Sequence, residues 1–264
     1  MNEINSYSLH NQHTANQIAE LNTPDPVQNA HLSQNVIICA KKYIGHIRHT
    51  PTDACFESFT MLEGTVVHDF RILFSKNIPP VLLKTTNHPI QTHEYIPLVQ
   101  KKREDAVLGT APIAREQQLR MNCWEFCLLA LMDAGVLEKE QIEKLCKICT
   151  GGPGFTLVDA FQPEKATRVT EHNIKELKCG DMLFYIRTDR LENRIYHTAI
   201  FMEENKCIEN MWSKKHSETV HENILDLGPF EQNSLPSFPK MVYFLPLEKV
   251  RVNIEAFIRF FEIV

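Results

Sequence analysis

The chain has 264 residues, room for one large domain or two small ones at roughly 100–200 residues each. It is 43% hydrophobic and 23% charged, the make-up of a globular protein that can fill a core. Its 28 Lys and Arg against 33 Asp and Glu give a formal charge of −5, which lacks the basic footprint a phosphate backbone attracts and argues against nucleic acid as the main partner.

No apolar run reaches the ~18 residues of a bilayer span. The richest, Cys127 to Leu137, is short and carries Asp133, so no integral membrane segment is expected. Eight cysteines at irregular spacings are too few for a disulfide scaffold and suit a reducing compartment. Residues 1–30 hold no apolar signal-peptide core. The expected location is therefore cytoplasmic, or outside the cell by a route without a cleaved signal.

Residues 1–33 are polar and aperiodic, with Thr23-Pro24-Asp25-Pro26 as turn formers, and are expected to form a flexible arm. Residues 34–110 form an accessory region, partly β. In it Gly64 to Phe74 reads as a strand from its β-branched and aromatic residues, and Val81 to Lys84 as another. The charged stretch Lys101 to Asp105 and the weak segment after it, to Arg120, read as a connection. Residues 111–264 are the expected second domain.

From Asn122 the pattern turns helical, with Phe126, Cys127, Leu129, Ala130, Leu131 and Ala134 on three/four spacing. Asn122 suits an N-cap, Glu125 the reciprocal acid of a capping box, and Gly135 a stop. A second helix is expected over Glu138 to Cys149, ended by Gly151-Gly152-Pro153-Gly154. That glycine cluster lacks the Lys-Ser/Thr pair of a phosphate loop and reads as a turn. Strands follow at Asp181 to Arg187, Ile195 to Met202, Lys206 to Trp212 and Met241 to Leu245. Helices followed by a strand meander indicate an α+β domain with helices on one side of an antiparallel sheet.

Cys123 falls in the first turn of the predicted helix, where unpaired amides and the helix dipole favour a thiolate. The same amides suit a developing oxyanion. His197, near the start of a strand, is the candidate base. Glu209 follows it by twelve residues across the Glu203-Glu204-Asn205 turn, a spacing that sets two side chains side by side on an antiparallel pair. A carboxylate there fixes the imidazole tautomer. Asn210 faces the other way if the strand is regular; a bulge reverses the choice.

These residues carry a resemblance. Leu177-Lys178-Cys179-Gly180-Asp181-Met182-Leu183-Phe184-Tyr185, then His197-Thr198-Ala199-Ile200-Phe201, then Cys207-Ile208-Glu209, resemble the core of the NlpC/P60 superfamily of papain-like cysteine peptidases and amidases. Asn122-Cys123 with Gly135 resembles that family's nucleophile helix, and the order Cys before His fits its permutation. The sequence departs from the family pattern at Asn122 for Asp, Trp124-Glu125 for Ser-Gly, Cys179 for Pro and Glu209 for the commoner His, Asn or Gln.

The resemblance implies a papain-like α+β domain, its nucleophile helix packed on an antiparallel sheet, behind an N-terminal accessory region. It implies a thiol hydrolase of amide or peptide bonds working through Cys123, His197 and Glu209 and a thioester, with Asn122 and Trp124 at the oxyanion or substrate side. No cofactor and no metal are expected. The expected partner is a protein or peptide substrate, such as a host or target protein of a toxin- or effector-type enzyme. Glutamine deamidation and acyl transfer use the same triad. A papain-like module that only binds is the competing class, because a cysteine on an apolar helix is ordinarily a small buried hydrophobe. Cys146-x-x-Cys149 lacks a second ligand pair at zinc spacing and reads as core packing.

Overall fold

The computed structural model describes residues 26–49, 69–74, 82–84, 89–109, 114–151, 157–188, 194–211, 219–228, 230–232, 235–238 and 240–263. The expected arm over residues 1–25, the first part of the strand read from Gly64, residues 152–154 of the glycine cluster, the loop at 189–193 and Trp212 lie outside these residues.

The N-terminal part consists of α1 (Pro26–Lys42), β1 (Ile47–His49), α2 (Asp69–Phe74), β2 (Leu82–Lys84), β3 (Pro89–Gln91) and α3 (Thr92–Val107). Next come β4 (Leu119–Met121), α4 (Cys123–Asp133), α5 (Lys139–Gly151) and α6 (Leu157–Phe161). The rest is β5 (Thr167–Arg168), β6 (Met182–Arg187), β7 (Arg194–Phe201), β8 (Lys206–Asn210), β9 (Val220–Ile224), β10 (Phe230–Gln232), β11 (Leu235–Phe238), β12 (Lys240–Leu245) and α7 (Leu247–Ile263). Six strands make one antiparallel sheet in the order β5-β12-β6-β7-β8-β9, and β1 pairs with β4 in parallel. The chain is thus α+β.

The pleat sorts the sheet's side chains to two faces. Met182, Phe184, Ile200, Ile208 and Leu245 pack with the buried side of α4. Leu183, Tyr185, Ala199, Phe201, Cys207, Val242 and Phe244 form a second cluster on the other face. Val36, Tyr43, Phe70, Phe74, Tyr95 and Val99, from α1 to α3, share the core of α4. That common core holds the N-terminal elements against α4.

Three local expectations are corrected. Residues from Pro26 belong to α1 rather than to an arm, because Val36, Ile37, Cys39 and Ala40 bury one side of the helix. Asp69–Phe74 is helical, not a strand. Phe70, Ile72 and Phe74 fit a period of two, but Phe70 and Phe74 also meet four apart, with ring centroids at 4.8 Å. Tertiary bonds decide the matter: the fully buried Asp69 accepts from Arg120 N at 2.9 Å and Tyr95 Oη at 3.1 Å. The Lys101–Asp105 stretch lies inside α3, closed by a Lys101–Asp105 ion pair at 3.0 Å, rather than in a connection.

Candidate active site

The turn that carries Cys123 is built by its neighbours. Asn122 is extended (φ −85°, ψ 178°), and its Oδ1 accepts from Glu125 N at 2.9 Å. Glu125 Oε2 accepts from Asn122 N at 2.9 Å in return, closing the capping box. Asn122 O takes the amide of Phe126 at 3.1 Å. The amides of Cys123 and Trp124 then stand at the positive end of α4, in the positions a helix cannot satisfy internally. Ala134 ends the helix and Gly135 follows with φ +76°.

β8 supplies the next contacts. Its register on β7 runs Ala199↔Glu209, Ile200↔Ile208 and Phe201↔Cys207, so Glu209 lies diagonally across from His197. His197 Nε2 donates to Glu209 Oε2 at 2.9 Å, and both side chains are buried. Asn210 turns to the other face, where its Nδ2 donates to Met121 O at 2.8 Å and Asn122 O at 3.2 Å.

Electrostatics follow from these contacts. Burial disfavours the His197 imidazolium, but side-chain hydrogen bonding to Cys123 and Glu209, and the charges of both, raise its pKa from 6.5 to about 9. Burial pushes the Glu209 carboxyl up, yet hydrogen bonds from His197, His221 and Asn223 outweigh it and hold the group well below the usual carboxylate range. Cys127, one turn after Cys123, is a different case. Burial first, then Cys123, raises its thiol well above the ordinary value, the condition of an inert structural cysteine.

The chain matches no protein-family model and no curated protein.

Of the five residues picked from sequence, Cys123, His197 and Glu209 come together, and Asn122 stands beside them with its side chain committed to the cap. Trp124 lies in the core, its ring 5.5 Å from Phe161 and stacked 5.8 Å from Phe184. Cys146 and Cys149 pack in the core from α5. Among the described residues no group of three or more His, Cys, Asp or Glu is placed to hold a metal ion, and no helix is long and apolar enough to cross a membrane.

Sequence reasoning passed over two neighbours of the site. Asn223 Nδ2 donates to Glu209 Oε1 at 2.7 Å, and His221 Nε2 stands 3.4 Å from the same oxygen. The polar alternation His221, Asn223 on one face of a short strand was the available signal.

Proposed function

We propose that the chain is a thiol hydrolase of amide or peptide bonds, with a papain-like, NlpC/P60-type arrangement and a protein or peptide as substrate. The observation that carries this reading is a single buried imidazole engaged from two sides, by a sulfur at a helix start and by a carboxylate. Glu209 occupies Nε2 of His197, which leaves Nδ1 for Cys123.

The Cys123 thiolate attacks the substrate carbonyl carbon while the imidazolium holds it. The oxyanion that forms is stabilised by the first amides of α4. Nδ1 of His197 then gives its proton to the leaving amine, the C–N bond breaks, and a thioester remains. Water enters, His197 takes one of its protons, and the carboxylic acid leaves as the thiolate re-forms. Deamidation of a glutamine or transfer to an amine follows the same path and differs in the bond placed over the sulfur or in the group that enters second.

Labelling tests the proposal. Iodoacetamide at neutral pH is expected to alkylate Cys123 before the other cysteines, with the preference lost in His197→Ala. A mass-spectrometric survey of candidate proteins then separates backbone cleavage from a glutamine-to-glutamate change. Uniform slow labelling, with neither product nor an acyl adduct, would favour a module that only binds.

A further inference from the structure

We infer that His221 and Asn223 of β9 are positioning residues for His197, acting through the carboxylate they share with it. The inference rests on the triad proposed above.

The register sets Glu209 directly opposite His221. The two carboxylate oxygens then face different partners. Oε2 meets His197 Nε2 at 2.9 Å, whereas Oε1 receives Asn223 Nδ2 at 2.7 Å and has His221 Nε2 at 3.4 Å. A carboxylate held at one oxygen still turns about its last torsion; held at both, it presents one fixed lone pair to the imidazole.

The outer partners are themselves fixed. Asn223 Oδ1 accepts from Ile224 N at 2.9 Å, which orients the amide so that its NH₂ faces Glu209. His221 Nδ1 lies 2.7 Å from Thr219 O, an oxygen that only accepts, so Nδ1 carries a proton; Nε2, aimed at Glu209 Oε1, donates there when the ring carries both protons and is the charged partner of the carboxylate. β9 is the last strand of the sheet, and it is held from the N-terminal part. Gly45 N donates to Val220 O at 3.4 Å, Arg48 bridges Thr219, and Lys41 pairs with Glu222 at 3.1 Å. The edge strand thus links the N-terminal elements to the orientation of the base.

The test reads His197 rather than turnover. In the unaltered full chain, the His197 Nε2 proton bound to a buried carboxylate is expected as a low-field resonance in the proton NMR spectrum. Asn223→Ala and His221→Phe are each expected to shift it upfield or remove it and to slow iodoacetamide alkylation of Cys123 by about tenfold, the equivalent of one pKa unit. His221→Gln keeps a side-chain donor toward Glu209 and is expected to restore both.

Asn223 is exposed, so its substitution decides the matter even where His221→Phe does not fold. An unchanged resonance and rate in Asn223→Ala, and in His221→Phe where it folds, would overturn the positioning role and leave the triad standing. A resonance absent from the unaltered protein would overturn the triad, and the positioning role with it.

Discussion

Glu209 and Asn210 are consecutive on β8 and hold opposite halves of the candidate site. The first fixes the imidazole of His197 at 2.9 Å; the second, on the other face, fixes the carbonyls of Met121 and Asn122 at 2.8 and 3.2 Å, just before Cys123. One strand therefore sets the His197 imidazole and the start of α4 relative to each other. A shift of β8 by one residue would exchange the two roles and lose both.

Asn210→Ala tests the Cys123 side of the candidate site. It strips a donor from Met121 O and from Asn122 O, the second of which keeps the amide of Phe126, and a hydrogen bond lost there costs about 0.5–1.5 kcal/mol. Urea unfolding is expected to show that loss. Alkylation of Cys123 should slow while the His197–Glu209 proton resonance stays in place. Unchanged alkylation in a folded variant would mean that the cap does not need β8.

Glu209→Gln tests the His197 side. Removing one partner of a buried charged pair costs about 3–5 kcal/mol. The pH dependence carries more information than the total. The folded His197 pKa of about 9 lies above its ordinary 6.5, so its pairing contributes fully below 6.5 and is lost as pH rises through 9. Urea midpoints between pH 6 and 10 are expected to fall in the unaltered protein and to fall less in Glu209→Gln. Equal slopes would show that the carboxylate does not hold the ring's proton.

The site was legible where local chemistry and tertiary structure agree. Asn122, Glu125 and Gly135 announce the start and stop of α4 without help from the rest of the chain, and the twelve-residue spacing from His197 to Glu209 is a property of two strands and a short turn. The N-terminal part was less legible because distant partners decide its structure. Asp69 begins a helix whose apolar residues also fit a strand, and its carboxylate is held from Tyr95 and Arg120. α3, read from sequence as part accessory region and part connection, is a helix that Tyr95, Val99 and Ala106 secure by burial. Trp124 shows the opposite limit. Its place beside Cys123 in the sequence put it near the chemistry, but its ring lies among Phe161 and Phe184.

Gly180→Ala tests the turn ahead of β6. Gly180 has φ +87°, a conformation that strains any side chain, and a Cβ there would lie 3.2 Å from Ser33 Cα in α1, a tight contact from which α1 would have to give way. Gly180 N also donates to Phe201 O at 2.9 Å, tying the turn to the end of β7. The substitution is expected to cost more than about 1 kcal/mol. In a chain of this size that lowers the melting temperature by about 2–4 °C for each kcal/mol. An unaltered melt would show that α1 does not need this close approach.

Asp181, next along, gives the fold a pH dependence of opposite origin to that of Glu209. Its Oδ2 accepts from Lys178 N at 2.9 Å and its Oδ1 from Leu247 N, the first residue of α7, at 3.3 Å. Burial nonetheless dominates those two donors and raises the carboxyl from 3.8 to about 7, with Glu248 adding to the rise. The folded chain therefore holds this proton more tightly than the unfolded chain does. The residue's contribution is most favourable below about pH 4, declines as pH rises to about 7, and is level beyond. Asp181→Asn removes the titration while keeping one side-chain acceptor for the turn. Comparing urea unfolding at pH 5 and pH 7.5, the variant is expected to lose less stability across the interval than the unaltered protein, even if it starts from a lower value. His197 adds its own decline only above its ordinary 6.5 and does so in both proteins, so it cancels from the comparison. An identical difference in the two proteins would mean that Asp181 is already ionised at pH 5, and that the amides of Lys178 and Leu247 outweigh its burial.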